Sequence, residues 1–243
     1  MNGKVIAIVN RKGGSGKTTT SKNLAYDLTL HGNKVLLIDA DPQCNATDGL
    51  SVAGRNYKKT ILGLLRCESI NRCIYHTRFK NLDIIPGSDY LASEDVMDDI
   101  FINQLKNVAD VYDYIIFDTS PYFNKLTVEI LKTHDLVIIP TEIAEDSVKG
   151  MMITIREMLH LFHTAKFRIL YTKIDTSRET EKALKELYKQ LGNVSFKRQI
   201  RYNLLPVKRA RKKRIPLSRR YSYTKVAKDY EEVTREMMEV CQK

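Results

Sequence analysis

The run Lys12-Gly13-Gly14-Ser15-Gly16-Lys17-Thr18-Thr19 follows closely on an apolar stretch, Val5-Ile6-Ala7-Ile8-Val9, and leads into an amphipathic segment. Three glycines within four positions make a tight turn whose backbone N–H groups converge, and between a strand and a helix such a turn cradles a polyphosphate. In the general pattern, G-x-x-x-x-G-K-[ST], the lysine reaches the β- and γ-phosphates and the next hydroxyl ligates Mg²⁺. Those positions here are Lys17 and Thr18, with Gly13, Gly14, Ser15, Gly16 and Thr19 completing the cradle. The sequence departs from the pattern in one respect. Arg11 stands where the first glycine is expected, and Lys12 precedes the glycine pair. Lys17 already supplies the cation that one loop needs, so a spare cation at Lys12 is most useful if it reaches a phosphate held by another subunit.

Three further segments follow in order. Val35-Leu36-Leu37-Ile38 reads as a buried strand ending in Asp39-Ala40-Asp41-Pro42-Gln43. Carboxylates at i and i+2 on a strand end point the same way, and Asp39 and Asp41 could hold a metal's water shell or orient an attacking water. Tyr114-Ile115-Ile116-Phe117 delivers Asp118 to the same sheet edge, where a carboxylate linked to Mg²⁺ belongs. Asp135 to Thr141 is another apolar run, broken by Pro140.

Apolar runs alternate with helical stretches along the chain, which predicts an α/β fold: a doubly wound, mostly parallel sheet with helices on both faces. Strands are expected near 4–10, 34–39, 82–86, 113–118, 135–140, 167–172 and 195–200. Helices are expected near 17–31, 94–108, 124–133, 147–163, 178–191 and 224–241, with Gly32 capping the first. The stretch 49–81 is the least regular and has a short helix near Thr60–Arg66. At 243 residues and 43 % hydrophobic content, residues 1–243 are expected to form a single domain. The four cysteines form no close pair and read as packing residues in a reducing cytosol. No signal-peptide pattern opens the chain, and no apolar run approaches the ~18 residues that span a bilayer.

Charge is unevenly spread. The formal net charge is +11, yet no Asp or Glu occurs between Leu187 and Lys228. That window holds fourteen cations: Lys189, Lys197, Arg198, Arg201, Lys208, Arg209, Arg211, Lys212, Lys213, Arg214, Arg219, Arg220, Lys225 and Lys228. Subtracting these 14 from +11 leaves the remainder at −3. The region near 189–228 is therefore a local polyanion-binding face, with its densest part, Lys208–Arg214, expected in a loop before the last helix. Tyr202, Tyr221 and Tyr223 are interspersed and could pack against a sugar or backbone. Without a base-reading motif, contacts to phosphates and strong salt dependence are expected. An import-like basic run, an acidic protein partner or a membrane surface are the alternatives.

The loop Lys-Gly-Gly-x-Gly-Lys-Thr-Thr, the Asp41-Pro42-Gln43 and Asp118-x-x-Pro121 segments, and Asp41-Pro42-Gln43-Cys44-Asn45-Ala46-Thr47 together resemble the ParA/MinD family of ATPases with a deviant Walker A loop, ParA-type partitioning proteins above all. Cys44 replaces the glycine of the family's Asp-Pro-Gln-Gly-Asn-Ala-Thr, and Ile200-Arg201-Tyr202-Asn203 resembles its Ile-Pro-Arg-Asn segment beside the base. The resemblance implies ATP and Mg²⁺ as cofactors. Lys12, Lys17 and Asp41 become the catalytic set, with Asp41 tied to water activation. Thr18, Asp39 and Asp118 become the metal set. It also implies a homodimer formed on ATP binding and a weak ATPase acting as a switch. Non-specific DNA binding through the C-terminal third is implied as well, and within that region the basic window offers Lys197, Arg198, Arg201, Lys208, Arg209, Arg211, Lys212, Lys213, Arg214, Arg219 and Arg220 as the candidate contacts. A centromere-binding, ParB-like partner would stimulate hydrolysis, and the setting would be the cytoplasm and its nucleoid, without stable membrane association. A MinD-like membrane-cycling role is the alternative. Its anchor would have to be the last helix, near 224–241, whose polar side carries Glu231, Glu232, Glu236 and Glu239 and would be repelled by anionic lipid. A catalytic use of the same loop, as in bacterial tyrosine kinases or the nitrogenase iron protein, ranks last.

Overall fold

The computed structural model describes residues 3–50 and 56–242. In chain order the elements are β1 (Lys4–Ile8), α1 (Lys17–Leu30), β2 (Val35–Ala40), α2 (Asn45–Leu50), α3 (Ile61–Leu65), β3 (Tyr75–His76), β4 (Leu82–Ile85), α4 (Ile100–Leu105), β5 (Tyr114–Thr119), α5 (Lys125–Leu131), β6 (Leu136–Thr141), α6 (Glu145–Leu161), β7 (Phe167–Tyr171), α7 (Arg178–Leu191), α8 (Leu204–Lys212), α9 (Ser218–Tyr221) and α10 (Lys225–Gln242). The sheet runs β3-β4-β2-β5-β1-β6-β7, parallel throughout except for the antiparallel β3–β4 edge pair.

The strand period of two divides the sheet between two cores. Val5 and Ala7, Leu36 and Ile38, Ile115 and Phe117, and Val137 and Ile139 pack on the face covered by α3, α4, α5, α6 and α7. Their neighbours Ile6 and Ile8, Val35 and Leu37, Tyr114 and Ile116, and Leu136 and Ile138 pack on the face covered by α1, α2, α8, α9 and α10. Both faces are buried, so the strands read as unbroken apolar runs rather than alternating ones. α1 is wrapped by neighbours and buries Asn23, Leu24, Ala25, Asp27 and Leu28 alike. Gly32, at φ +86, ends it as expected: Asn33 N–H donates to Leu28 O and Gly32 N–H to Thr29 O.

Three expectations are corrected. Residues 195–200 form no strand. Phe196 N–H bonds Ile169 O, but the amide of Arg198, the next in line to face β7, donates with that of Lys197 to the Glu236 carboxylate on α10, and β7 is met again only by Ile200 N–H, at Tyr171 O. Only isolated bridges, Ile169 with Ser195 and Ile174 with Arg201, remain along that edge. The helix expected near 94–108 is confined to α4, because Asp99 takes φ +58 and donates its N–H to Glu129. Lys208–Arg214 is not a loop: most of it lies in α8, whose Pro206 sits in the first turn, where no backbone N–H is needed, and which ends at Arg214 with φ +55. The short helix near Thr60 is α3, capped by the Thr60 hydroxyl accepting from Leu62 N–H. Residues 51–55 of the irregular stretch lie outside the described residues.

Candidate nucleotide site and basic face

β1 delivers the loop to the carboxyl edge of the sheet, where α/β folds bind their ligands. Gly14 and Gly16 take φ +78 and +100, left-handed values that only glycine adopts without strain, and Gly16 opens α1. The helix N-terminus therefore faces the space the loop encloses. That space is a cavity of about 550 Å³ lined on one side by Gly13, Gly14, Gly16, Lys17, Thr18 and Thr19 and on the other by α8 and the segment after it. Asp41 also borders it.

Lys17 is buried and folds across the loop, its ammonium donating to Asn10 O at 2.9 Å and Lys12 O at 3.3 Å. Burial lowers its pKa, while Asp118 and Asp41 pull the other way. Two side chains just after β7 brace the loop: Thr172 Oγ1 donates to Ser15 O at 3.0 Å, and Lys173 Nζ donates to Gly14 O at 2.8 Å while pairing with Glu142 at 2.6 Å. A peptide's N–H lies opposite its C=O, so holding these carbonyls also fixes the direction of the amides that follow them. Lys173 sits at φ +56, which turns its stem back over the loop. It was not singled out in the sequence; a lysine just after an apolar strand carries no signal until the loop is seen beside it.

The acidic side is built by register. Asp39 and Asp118 are paired residues of β2 and β5. Burial first, then the charge of Asp118, raises the pKa of Asp39; burial first, with Asp41 adding, raises that of Asp118, and hydrogen bonds from Thr18 and Ser21 oppose this. Asp118 Oδ1 accepts from Ser21 Oγ at 2.8 Å, and its buried Oδ2 has no hydrogen-bond partner of normal geometry among the described residues, the Thr18 hydroxyl lying beside it. A free carboxylate oxygen beside the Thr18 hydroxyl is a hard-oxygen pair suited to Mg²⁺, which takes few protein ligands and completes its shell with water and phosphate. Asp39 is differently employed: Oδ2 accepts from both Thr47 N–H and Oγ1 at 2.7 Å, and Oδ1 from Asp41 N–H at 3.2 Å. It anchors the loop that carries Asp41 to the cavity. In that loop Cys44 takes φ +51, the backbone that suits the glycine it replaces.

Lys12 is half-exposed at the mouth of the cradle, 3.9 Å from Asp146 at the start of α6. Beyond Gly16 and Thr19 a small pocket of about 90 Å³ is lined by Lys173, Tyr202, Leu204 and Val207 among others.

The basic residues separate into two sets. Arg198 pairs with Glu232, and Arg201 forks onto Asp229 at 2.9 and 2.5 Å, so both are tied to α10. Lys208, Arg209, Arg211, Lys212, Lys213, Arg214, Arg219 and Arg220 form no ion pair among the described residues, and all but half-buried Arg214 are exposed. Lys208 and Arg211 also line the nucleotide cavity. Tyr221 is buried and unavailable to a ligand, whereas Tyr202 and Tyr223 are exposed. The apolar stripe of α10, Val226, Tyr230, Val233 and Met237, is buried in the core shared with α1.

Comparison with known proteins agrees with this geometry. A family profile described as an AAA domain matches residues 3–170. The chain is 38 % identical over 157 residues to the sporulation initiation inhibitor protein Soj of Bacillus subtilis, a match covering 61 % of this chain and 62 % of Soj. It is 30 % identical to the chromosome-partitioning ATPase Soj of Treponema pallidum, over 97 % of both chains. The crystal structure of a putative plasmid partition protein from Borrelia burgdorferi, bound to AMPPNP, superposes with a TM-score of 0.82 at 25 % identity, covering 98 % of this chain and 99 % of that one. The chain belongs to the ParA/MinD family of P-loop ATPases.

Proposed function

We propose that this chain is an ATP-driven partitioning switch for a plasmid, mobile element or chromosome. The carrying observation is the division of labour between two lysines: Lys17 occupies the interior of the cradle, and Lys12 stands half-exposed at its mouth. ATP binds with its phosphates against the amides of residues 13–18 and Lys17, with Thr19 toward the α-phosphate and the base in the pocket beside Tyr202. The AMPPNP held by the Borrelia relative supports an adenine nucleotide here. Thr18 and Asp118 would hold Mg²⁺, with Asp39 as a further acid for its waters, and the ion would supply neutralisation of phosphate charge. Two protomers close face to face, and Lys12 of each leaves Asp146 for the other's phosphates. Pairing doubles the α8–α9 surface, and joining two weak patches raises affinity for DNA by about 10²–10⁴-fold. Asp41 then orients water for hydrolysis, which resets the switch.

A centromere-site-binding partner of the ParB kind would stimulate that step, and DNA binding by the ATP-loaded dimer would hold the chain on the cytoplasmic nucleoid until then. A membrane-cycling role gains no support from α10, whose apolar stripe is already docked in the core shared with α1. The test is sedimentation of Lys12→Gln with a non-hydrolysable ATP analogue. The variant should bind nucleotide and stay monomeric; dimerisation equal to that of the unaltered chain refutes the role of Lys12.

A further inference from the structure

Far from the basic segment in sequence, Arg78 lies in the turn between β3 and β4 and reaches the end of α8. Its Nη2 donates to Lys213 O at 3.1 Å and to Arg214 O, and its guanidinium carbon stands 5.2 Å from the centre of the Phe79 ring. Beside this contact a groove of about 380 Å³ is lined by Arg78, Phe79, Ile215, Arg219 and Arg220, with no carboxylate among them. Phe79 is buried, and the three arginines are exposed.

We propose that this groove is a seat for the phosphodiester backbone of duplex DNA and that the β3–β4 turn, through Arg78, is part of the DNA face. The argument is electrostatic. The carboxyl end of a helix carries roughly half a negative charge on its unpaired carbonyls. Left bare, the end of α8 would place repulsive oxygens beside the very surface on which phosphates must lie. Arg78 covers the C-cap carbonyl, Lys213 O, and the next one, Arg214 O, with one nitrogen while its guanidinium lines the groove, turning a repulsive spot into an attractive one. Guanidinium groups match a phosphate with two parallel donors, and Arg219 and Arg220 supply the opposite side. Phe79 and Ile215 give the floor an apolar surface for sugar. Arg209 and Lys212 on α8 and Lys213 at its end, whose carbonyl Arg78 holds, are exposed as well, and this run of cations favours one long polyanion over a small anion.

The proposal rests on the DNA reading above, and the experiment separates the two. The full chain, loaded with a non-hydrolysable ATP analogue, is titrated into a labelled random-sequence duplex across a range of salt. Arg78→Gln should raise Kd about tenfold near 0.1 M salt and reduce the log–log salt slope by about 0.9 or more. Arg78→Lys, which keeps the charge and loses the fork, should fall between. Lys182→Gln, on α7 across the sheet, should match the unaltered chain. Equal Kd and slope for Arg78→Gln and the unaltered chain overturn the groove while leaving DNA binding intact. A loss seen only with anionic-lipid vesicles overturns it in favour of a membrane. No duplex binding by the unaltered chain in any nucleotide state overturns the DNA reading, and the groove falls with it. If Arg78→Gln melts at a much lower temperature, the Arg219→Gln/Arg220→Gln pair, which leaves the helix end bonded, carries the same expectations and the same refutation.

Discussion

The two walls of the nucleotide cavity are both cationic and are built on opposite terms. On the phosphate-loop wall Lys17 is buried, bonded to two carbonyls and facing carboxylates whose own bonds are largely assigned. On the α8 wall Lys208 and Arg211 are exposed and form no ion pair among the described residues. The same division runs through the basic segment itself, where Arg198 and Arg201 are spent on α10 while the cations of α8 and α9 are not. A pinned charge fits a small ligand of fixed geometry. Unpinned charges fit a polymer whose contacts are interchangeable and screened by salt.

That contrast predicts that the two walls fail differently. Asp41→Ala, at the pinned site, should slow ATP hydrolysis by about 10²–10⁴-fold, the range expected for removing a positioned proton-transfer group, while ATP still binds and the DNA-bound dimer accumulates. Phosphate release in single turnover measures this, and normal turnover removes Asp41 from the role. Among the unpinned cations behind the other wall, the Arg209→Gln/Lys212→Gln/Lys213→Gln variant should bind DNA about 100-fold more weakly near 0.1 M salt, with a salt slope smaller by about 2.7, or 0.9 for each phosphate no longer neutralised. An unchanged slope assigns those cations to something other than phosphate. Lys173→Met keeps the stem and removes the brace on Gly14 O. Calorimetry should show nucleotide binding weaker by about tenfold, as for one charged hydrogen bond. Full affinity would mean that the loop holds its shape unaided.

The smallest effect concerns Asp27, buried on α1. Neither carboxylate oxygen has a hydrogen-bond partner of normal geometry among the described residues. Burial raises its pKa to about 7, with the charge of Glu231 adding and the Ser218 hydroxyl opposing. An unfolded Asp titrates near 4, so between about pH 4 and 7 the folded chain holds a proton that the unfolded chain lacks. The stability from this group is therefore complete below pH 4 and is lost as pH rises to 7. Asp27→Asn should melt a few degrees higher than the unaltered chain at pH 8 and close to it at pH 4.5. A gap that does not grow with pH contradicts the assignment.

The parts legible in the sequence were those governed by local rules. Unbroken apolar runs marked β1, β2, β5 and β6, and glycine spacing marked the loop, because a buried parallel strand and a left-handed turn each demand particular residues. The parts that were missed depend on partners remote in sequence. Lys197 and Arg198 would continue a strand but for Glu236, 39 and 38 residues away. α8 combines a proline with a dense run of like charge and is held by burial of Pro206 and Ala210, which its own sequence does not announce. β3 is two residues long and exists only as an edge to β4. Arg78 and Lys173 are ordinary surface residues until the fold sets them against α8 and the phosphate loop.

Whether the pinned wall governs the unpinned one is tested most directly by titrating a random-sequence duplex with the chain in ATP, in ADP and without nucleotide, at one fixed salt concentration. Tight binding with ATP alone, weaker by about 10²-fold or more in the other two states, is the expected result. Equal affinity in all three would contradict the account, since the basic face would then act without reference to the nucleotide beside it.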